Sequence, residues 1–407
     1  MKFNRHISSD LRSPDSQEKA RLVLGARQTG KSTLFELISE KGDILFDLQE
    51  RSERLRLARD PAAFTRSLLP AGKSQQHVLV DEIQRVPQLL DEMQMLLDRY
   101  PGSFTFTITG SSARRLRRRD VNLLPGRIHR FSLGPVCLWE QEATGKSLLL
   151  PSPPRSEAIA PFPSRSLQSL LLLGSLPAAF VESTGKYTRT LSTYAETYIE
   201  EEVLREAAAR NIGDYGRFLE LAALESGKPL NYTKLSQESG IALNTIRGFY
   251  SVLEDTLVGF TIRPYSGSGR ARILKTPRFY IFDVGVRNAL ARLPLDTGLL
   301  RLQAGHLLEH WVACELQVRI GYLGRNWRLS YWRTVDGAEV DFVLETPREA
   351  IPLKVKYTET PRPTHARSVE HFLDRYPDHA RRGFVLCRTR RPEQLTRRVR
   401  ALPWNRL

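Results

Sequence analysis

The stretch Arg21-Leu-Val-Leu-Gly-Ala-Arg-Gln-Thr-Gly-Lys-Ser-Thr33 constrains this chain more than any other. It opens as a short apolar strand, and Leu34, Leu37 and Ile38 then recur at helical spacing. Between strand and helix stands Gly25-x-x-x-x-Gly30-Lys31-Ser32, the spacing of a phosphate-binding loop in the context such a loop needs. Glycines let the backbone turn tightly enough to face its N–H groups toward phosphate oxygens. The helix N-terminus behind them adds partial positive charge. The loop candidates are therefore Gly25, Ala26, Arg27, Gln28, Thr29, Gly30, Lys31, Ser32 and Thr33. Lys31 is expected on the β- and γ-phosphates, and the Ser32 hydroxyl on a Mg²⁺ ion. Arg5 is close enough in sequence to flank a bound base.

A second half for such a site follows. Asp43-Ile-Leu-Phe-Asp47 reads as a buried strand, and residues 51–70 alternate charged and apolar positions at helical spacing. His77-Val-Leu-Val-Asp81-Glu82 is a buried strand ending in two acids, fifty residues after Lys31. Asp81 is expected to hold Mg²⁺ through water, and Glu82 to polarise an attacking water as general base. Ile83, Val86, Leu89, Leu90, Met93, Leu96 and Leu97 then form the apolar stripe of a helix. Phe104 to Gly110 is another strand, whose polar tip puts Thr109 or Ser111 at the carboxyl edge of a parallel sheet, where ligands bind. After the basic run Arg114–Arg119, Pro125-Gly126-Arg127 leads into the strand at Ile128–Leu133. Arg127 is a candidate γ-phosphate sensor, in cis or from a neighbouring subunit.

Gly25-x-x-x-x-Gly-Lys-Ser, Leu-Val-Asp81-Glu82-Ile-Gln, Thr109-Gly-Ser-Ser and Pro-Gly-Arg127, in this order, resemble a widespread prokaryotic AAA-type ATPase family within the AAA+ superfamily. Its members usually carry a C-terminal domain of unknown function. The resemblance implies ATP with Mg²⁺ as cofactors, ATP hydrolysis, a sensor role for Thr109, and an AAA+-like core with five parallel strands near residues 22, 44, 78, 105 and 129. ATP rather than GTP rests on that resemblance; no Asn/Thr-Lys-x-Asp guanine-reading tetrad occurs.

The expected fold is α/β throughout. An AAA+-like P-loop domain over 1–145 is followed by a Pro-rich linker over 146–166, marked by Pro151-Ser-Pro-Pro and Pro161-Phe-Pro163. A helical lid over 167–213 includes Tyr194 to Arg210. Residues 214–285 read as a winged helix-turn-helix, with helices at Tyr232–Gly240 and Leu243–Leu257, strands at Val258–Arg263 and Arg278–Asp283, and a basic wing between them. Asn244, Thr245, Arg247 and the wing arginines are candidates for DNA contact; Glu254 and Asp255 on the same helix favour the alternative, a protein-docking module.

From residue 300 to 407 the order is a helix with Glu309, a strand, a strand carrying Asp341, and Ile351-Pro-Leu-Lys354-Val-Lys356. This resembles the PD-(D/E)xK nuclease core, in which a helix Glu, a strand Asp and a Glu two residues before the Lys bind Mg²⁺. Asp341 and Lys356 match, and Glu309 can supply the helix acid, but Lys354 stands where the third acid belongs. An ammonium about 5 Å from Mg²⁺ would cost roughly 6–7 kcal/mol at an effective dielectric near 20. The departure argues for a degenerate site in which Lys354 takes the metal's place against Asp341 or Glu309. The arginines from Arg381 to Arg400 read as either a phosphate-binding face or a solvated helix.

Composition narrows the setting. The 407 residues are too many for one ordinary core. No apolar run approaches a membrane span, and the first residues lack the apolar core of a signal peptide. Cys137, Cys314 and Cys387 form neither a metal pattern nor a disulfide framework, which fits a reducing cytosol. A net charge of +16 favours nucleic acid or another anionic partner, though arginine-rich solvated positions give the same total. The expected function is thus a cytosolic, Mg²⁺-dependent ATPase, with homo-oligomerisation implied if Arg127 acts in trans. A nucleotide-gated scaffold and a DNA-binding regulator are the other two readings.

Overall fold

The computed structural model describes residues 3–12, 19–69, 75–111, 127–142, 147–151, 160–206, 212–266, 276–323 and 326–407. They fall into two compact units. The first comprises Met1–Gly134, Arg155–Phe162 and Asp255–Leu257; the second comprises Pro135–Pro154, Pro163–Glu254 and Val258–Leu407. The basic run Arg114–Arg119, Pro125, Gly126, residues 146 and 152–159 of the expected linker and the wing arginines lie outside the described residues.

In the first unit, α1 (Ile7–Arg12) precedes β1 (Ala20–Leu24), α2 (Lys31–Ile38), β2 (Ile44–Asp47), α3 (Arg51–Arg59), α4 (Ala62–Leu68), β3 (Gln76–Asp81), α5 (Leu89–Arg99), β4 (Phe104–Gly110) and β5 (Ile128–Ser132). The five strands form one all-parallel sheet in the order β2-β3-β4-β1-β5. Five strands were expected at these places; their spatial order was not readable. The order inserts β4 between the strand that feeds the loop and the strand that carries the two acids. β2 was read as buried, yet it is an edge strand with Leu45 58% exposed. The stripe beginning at Ile83 is not one helix. A 3₁₀ turn spans Ile83–Arg85, and α5 starts only at Leu89, beyond Pro87, which disfavours helical backbone in the residue before it. Leu22, Val80, Phe106 and Ile108 are buried with Phe64, Leu90, Met93 and Leu96, and each such side chain contributes about 1.5–3 kcal/mol through burial.

The second unit holds α6 (Leu167–Leu173), α7 (Pro177–Val181), α8 (Thr184–Glu206), α9 (Ile212–Leu224), α10 (Tyr232–Ser239), α11 (Leu243–Asp255, its last residue grouped with the first unit), β6 (Gly259–Pro264), β7 (Arg278–Ile281), α12 (Val284–Leu290), α13 (Thr297–Tyr322), β8 (Arg328–Arg333), β9 (Glu339–Glu345), β10 (Ala350–Val355), α14 (Arg367–Arg375), β11 (Gly383–Cys387), β12 (Glu393–Gln394) and β13 (Val399–Pro403). Three helices and an antiparallel pair thus stand where a winged helix was expected. The pair is not closed off from the C-terminal strands. β6 also pairs in parallel with β8, giving one eight-stranded sheet in the order β12-β13-β11-β10-β9-β8-β6-β7. The expected boundary between residues 285 and 300 therefore does not separate two sheets: hairpin β6–β7 leaves one edge of β6 open, and β8 covers it. The arginines from Arg381 to Arg400 do not lie on a helix. They decorate β11 to β13 and their connections.

Where α6 meets α12 the backbones touch. Gly174 has φ 72°, and a Cβ there would lie 2.1 Å from Asp283 Oδ1. Asp283 caps α12, accepting from Val286 N at 3.0 Å and Ser175 N at 2.6 Å. Burial pushes its carboxyl up to about 6, against those opposing hydrogen bonds. An acid with a higher pKa folded than unfolded binds more protons when folded, so its contribution is full below the unfolded value and is lost as pH rises through the folded one. A shift of this size corresponds to about 3 kcal/mol. We therefore expect urea unfolding of the wild type to lose on the order of 2–3 kcal/mol more between pH 4 and pH 7 than Asp283→Asn does. Parallel pH profiles for the two would contradict this.

Candidate nucleotide site

The loop after β1 is set by backbone first. Gln28 (φ 61°) and Gly30 (φ 92°) are left-handed, and α2 starts at once with Lys31. Gly25 donates its N–H to Gly110 O at 3.2 Å. A Cβ on Gly25 would come within 2.4 Å of Leu133 O, so only glycine lets the loop sit this close to the end of β5. Thr29 Oγ1 donates to Ala26 O at 2.8 Å, and Lys31 Nζ donates to Gly25 O at 3.0 Å and Ala26 O at 2.9 Å. Ala26 and Thr29 thus shape the loop from within, while Arg27, Gln28, Gly30, Lys31, Ser32 and Thr33 line a cavity of about 310 Å³.

The two acids reach the same place from β3. Ser32 Oγ donates to Asp81 Oδ2 at 2.9 Å, and Gln49 Nε2 donates to the same oxygen at 2.9 Å. Thr109 Oγ1 donates to Asp81 Oδ1 and accepts the N–H of Glu82 at 3.0 Å. Glu82 follows with left-handed backbone, φ 59°, and lines the cavity with Ser111 and Arg85. Its Oε2 accepts from Gln84 Nε2 and from Ser111 Oγ at 3.1 Å. Thr109 or Ser111 was expected to face the ligand from this strand tip. Ser111 lines the cavity, while Thr109 is buried, with its hydrogen committed to Asp81.

Two expected arginine roles change. Arg127 precedes β5, its carbonyl accepting from Ala20 N and its guanidinium pairing with Asp98. Ala20 begins β1 and the loop follows Leu24, so Arg127 lies at the far edge of the sheet, about 16 Å away at 3.3 Å per residue. It does not reach the cavity of its own chain. Arg5 does not flank a base. It is 3% exposed, and it donates from NH1 to Thr29 O at 2.6 Å and from NH2 to Gly134 O at 2.7 Å. Gln49 and Arg85 were missed. Gln49 lies two residues beyond β2, at the carboxyl edge where ligand-facing residues collect. That position was the available signal.

Of the residues expected to form a degenerate nuclease-like site, Glu309, Asp341 and Lys354 come together in the second unit. Glu309 comes from α13, Asp341 from β9 and Lys354 from β10, while Lys356 follows β10. Lys354 Nζ donates to Asp341 Oδ1 at 2.6 Å, and Val355 N donates to Oδ2 at 2.7 Å. Of the two acids offered to Lys354, Asp341 is the partner. Glu309 is held by Arg278 NH1 and Tyr280 Oη, both at 3.2 Å, and Arg278 NH2 reaches Glu339 at 2.9 Å. Burial, then Asp341, pushes the Glu309 carboxyl up to about 7, with Arg278 and Lys354 opposing.

Among known families, residues 17–141 match a AAA domain model. Residues 17–141 form an AAA+-like P-loop NTPase domain. Residues 164–297 and 304–407 match two domains of unknown function, DUF8612 and DUF4143. Two uncharacterized proteins, from Mycobacterium bovis and Mycobacterium tuberculosis, are each 25% identical over 342 residues, covering 84% of this chain and 70% of theirs. A DNA polymerase III gamma subunit-related protein from Thermotoga maritima overlaps 77% of this chain and 100% of its own at 10% identity, with a TM-score of 0.24, too low to carry an argument. Among the described residues no helix is long and apolar enough to cross a membrane.

Thr109 joins the two acids of the AAA+-like domain through one buried hydroxyl. Thr109→Val keeps the shape and removes the bridge, leaving the Glu82 N–H and one Asp81 oxygen short of a partner. The expected loss is about 1–3 kcal/mol in urea unfolding. A loss below about 0.5 kcal/mol would mean that the hydroxyl makes no net bridge.

Proposed function

We propose that this protein binds ATP with Mg²⁺ and hydrolyses it slowly, and that nucleotide state governs the hold of the second unit on a protein or DNA partner. The observation that carries this reading is the convergence of Lys31, Ser32 and Glu82 on one cavity, with Asp81 bonded to Ser32, at the carboxyl ends of β1 and β3 on either side of β4. Lys31 would exchange the Gly25 and Ala26 carbonyls for β- and γ-phosphate oxygens, with the loop N–H groups around them. Ser32 and Asp81, a hydroxyl and a carboxylate 2.9 Å apart, are hard oxygen donors that fit Mg²⁺. When bound, that ion would neutralise phosphate charge.

Glu82 is the candidate base. Gln84 and Ser111 hold its Oε2, which leaves Oε1 to take the proton of an attacking water. Arg127 enters this reading only in trans, from a second copy. In the second unit, Asn244, Thr245 and Arg247 are exposed on α11, with Arg247 over the Tyr232 ring, and they would serve a winged-helix contact with DNA or protein. Among the C-terminal arginines, Arg382, Arg388 and Arg398 already pair with Glu349, Glu359 and Glu370. The exposed Arg390, Arg391, Arg397 and Arg400 are the better candidates for phosphates. Metal-dependent cleavage is not proposed for the degenerate nuclease-like residues, because Lys354 takes Asp341. The second reading, a nucleotide-gated scaffold with little turnover, is favoured by the distance of Arg127 from the cavity of its own chain.

The test is ATP turnover by the full chain, with and without duplex DNA. Lys31→Ala should abolish nucleotide binding. Glu82→Gln should keep binding and lower turnover by about 100-fold or more, the usual weight of a general base. Wild-type binding without measurable hydrolysis would select the scaffold instead, and stimulation by DNA would identify the partner class.

A further inference from the structure

Gln49 lies beyond β2 and lines the cavity beside Lys31, Ser32 and Glu82. Its backbone is fixed at two points. Leu48 N donates to Asp81 O at 3.3 Å, and Gln49 N donates to Asp47 Oδ1 at 2.8 Å. From there the side-chain amide reaches the two oxygens that the nucleotide reading gives to Mg²⁺. Gln49 Nε2 stands 2.9 Å from Asp81 Oδ2 and 3.4 Å from Ser32 Oγ, which are themselves 2.9 Å apart. The three atoms form one triangle. An ionised carboxylate only accepts hydrogen bonds, so the amide end turned toward Asp81 is the nitrogen.

A divalent cation held by the same two oxygens would meet amide hydrogens that carry partial positive charge. Mg²⁺ takes oxygen ligands in a near-octahedral shell. A glutamine amide has such an oxygen on the same carbon as its nitrogen, and its terminal torsion is broad and roughly two-fold. A half-turn about that torsion exchanges the two ends without moving the backbone. We propose that Gln49 is a positioning residue that exchanges ends: its nitrogen holds Asp81 and Ser32 without the ion, and its oxygen turns to the coordination shell of Mg²⁺ when the ion binds. This rests on the reading that Ser32 and Asp81 hold Mg²⁺ beside the nucleotide. A side chain that only braces the strand ends would, once removed, weaken nucleotide binding alike with and without the ion. One that only competes for Asp81 would strengthen the effect of the ion when removed. An exchanging amide weakens it.

The experiment is calorimetric titration of the full chain with ADP, in Mg²⁺ and in EDTA, for wild type, Gln49→Leu and Gln49→Glu. The readout is the ratio of the two affinities. Gln49→Leu should bind ADP in EDTA within twofold of wild type, and its ratio should fall at least threefold. Gln49→Glu offers an oxygen and no N–H, and it should keep at least the wild-type ratio. A ratio in Gln49→Leu that falls less than threefold or rises, or a ratio in Gln49→Glu below wild type, would overturn the proposal and leave the Mg²⁺ reading standing. A wild type that binds no ADP, or whose ADP affinity does not respond to Mg²⁺, would overturn both. Gln49 is exposed, so both variants should fold. Should Gln49→Leu fail to do so, the ratio in Gln49→Glu decides.

Discussion

The Asp81 carboxylate, 5% exposed at the end of β3, accepts hydrogen bonds from three elements at once: Ser32 in the first turn of α2, Gln49 beyond β2 and Thr109 at the end of β4. In the sheet β3 lies between β2 and β4, so Gln49 beyond β2 and Thr109 on β4 flank Asp81 from its two neighbouring strands. The left-handed backbone at Glu82, which costs a non-glycine residue about 1 kcal/mol or more, is held in the same way, by Thr109 at its nitrogen and by Gln84 and Ser111 at its carboxylate. The strain is local, and the groups that hold it come from two adjoining strand ends.

In the second unit, charge rather than strand order joins the parts. Arg278 on β7 is buried against the Tyr331 ring, 4.4 Å from its centroid, and reaches one acid on α13 and one on β9. The hairpin that begins as part of a three-helix module is thereby tied to the sheet beyond it. Arg319 does the same for the end of the chain, pairing with Glu315 and donating to Leu407 O at 2.5 Å. Removing one partner of such a buried pair costs about 3–5 kcal/mol, because it leaves the other charge unpaired. These pairs hold the second unit in one arrangement more than they add to its net stability.

The same physics decides which features were legible in the sequence. The strand-loop-helix context and the acidic strand tip could be read because their spacing is local: Gly25, Gly30, Lys31 and Ser32 lie within one turn of chain, and Asp81 with Glu82 ends an apolar run. Five strands could be placed, but not their order, and Arg127, read as acting in cis or in trans, stands at the amino end of β5, away from the loop of its own chain. Arg5 was misread for a different reason. Two of its partners are main-chain carbonyls 24 and 129 residues away, and a carbonyl has no letter in the sequence. Arg278 was read only as the start of a strand, since Glu309 and Glu339 become its neighbours only when β6 joins the larger sheet. The substitution at Lys354 was the most informative long-range signal, because a cation where an acid belongs must find a counter-ion close by, and Asp341 was one of two available.

The two acidic centres differ in what neutralises them. Asp341 has Lys354 at 2.6 Å, and Glu309 has Arg278 at 3.2 Å, so their charges are met within the chain. Among the described residues, the hydrogen-bond partners of the Asp81 carboxylate are a serine hydroxyl, a threonine hydroxyl and a glutamine amide, all of them neutral. Such donors orient a carboxylate without cancelling it, and at an effective dielectric near 20 a divalent cation at about 4 Å would gain about 8 kcal/mol from a single full charge. At Asp341 the same cation would first have to displace an ammonium. The arrangement of partners, not the number of acids, is therefore why the proposed magnesium chemistry belongs to the first unit and not to Asp341 in the second.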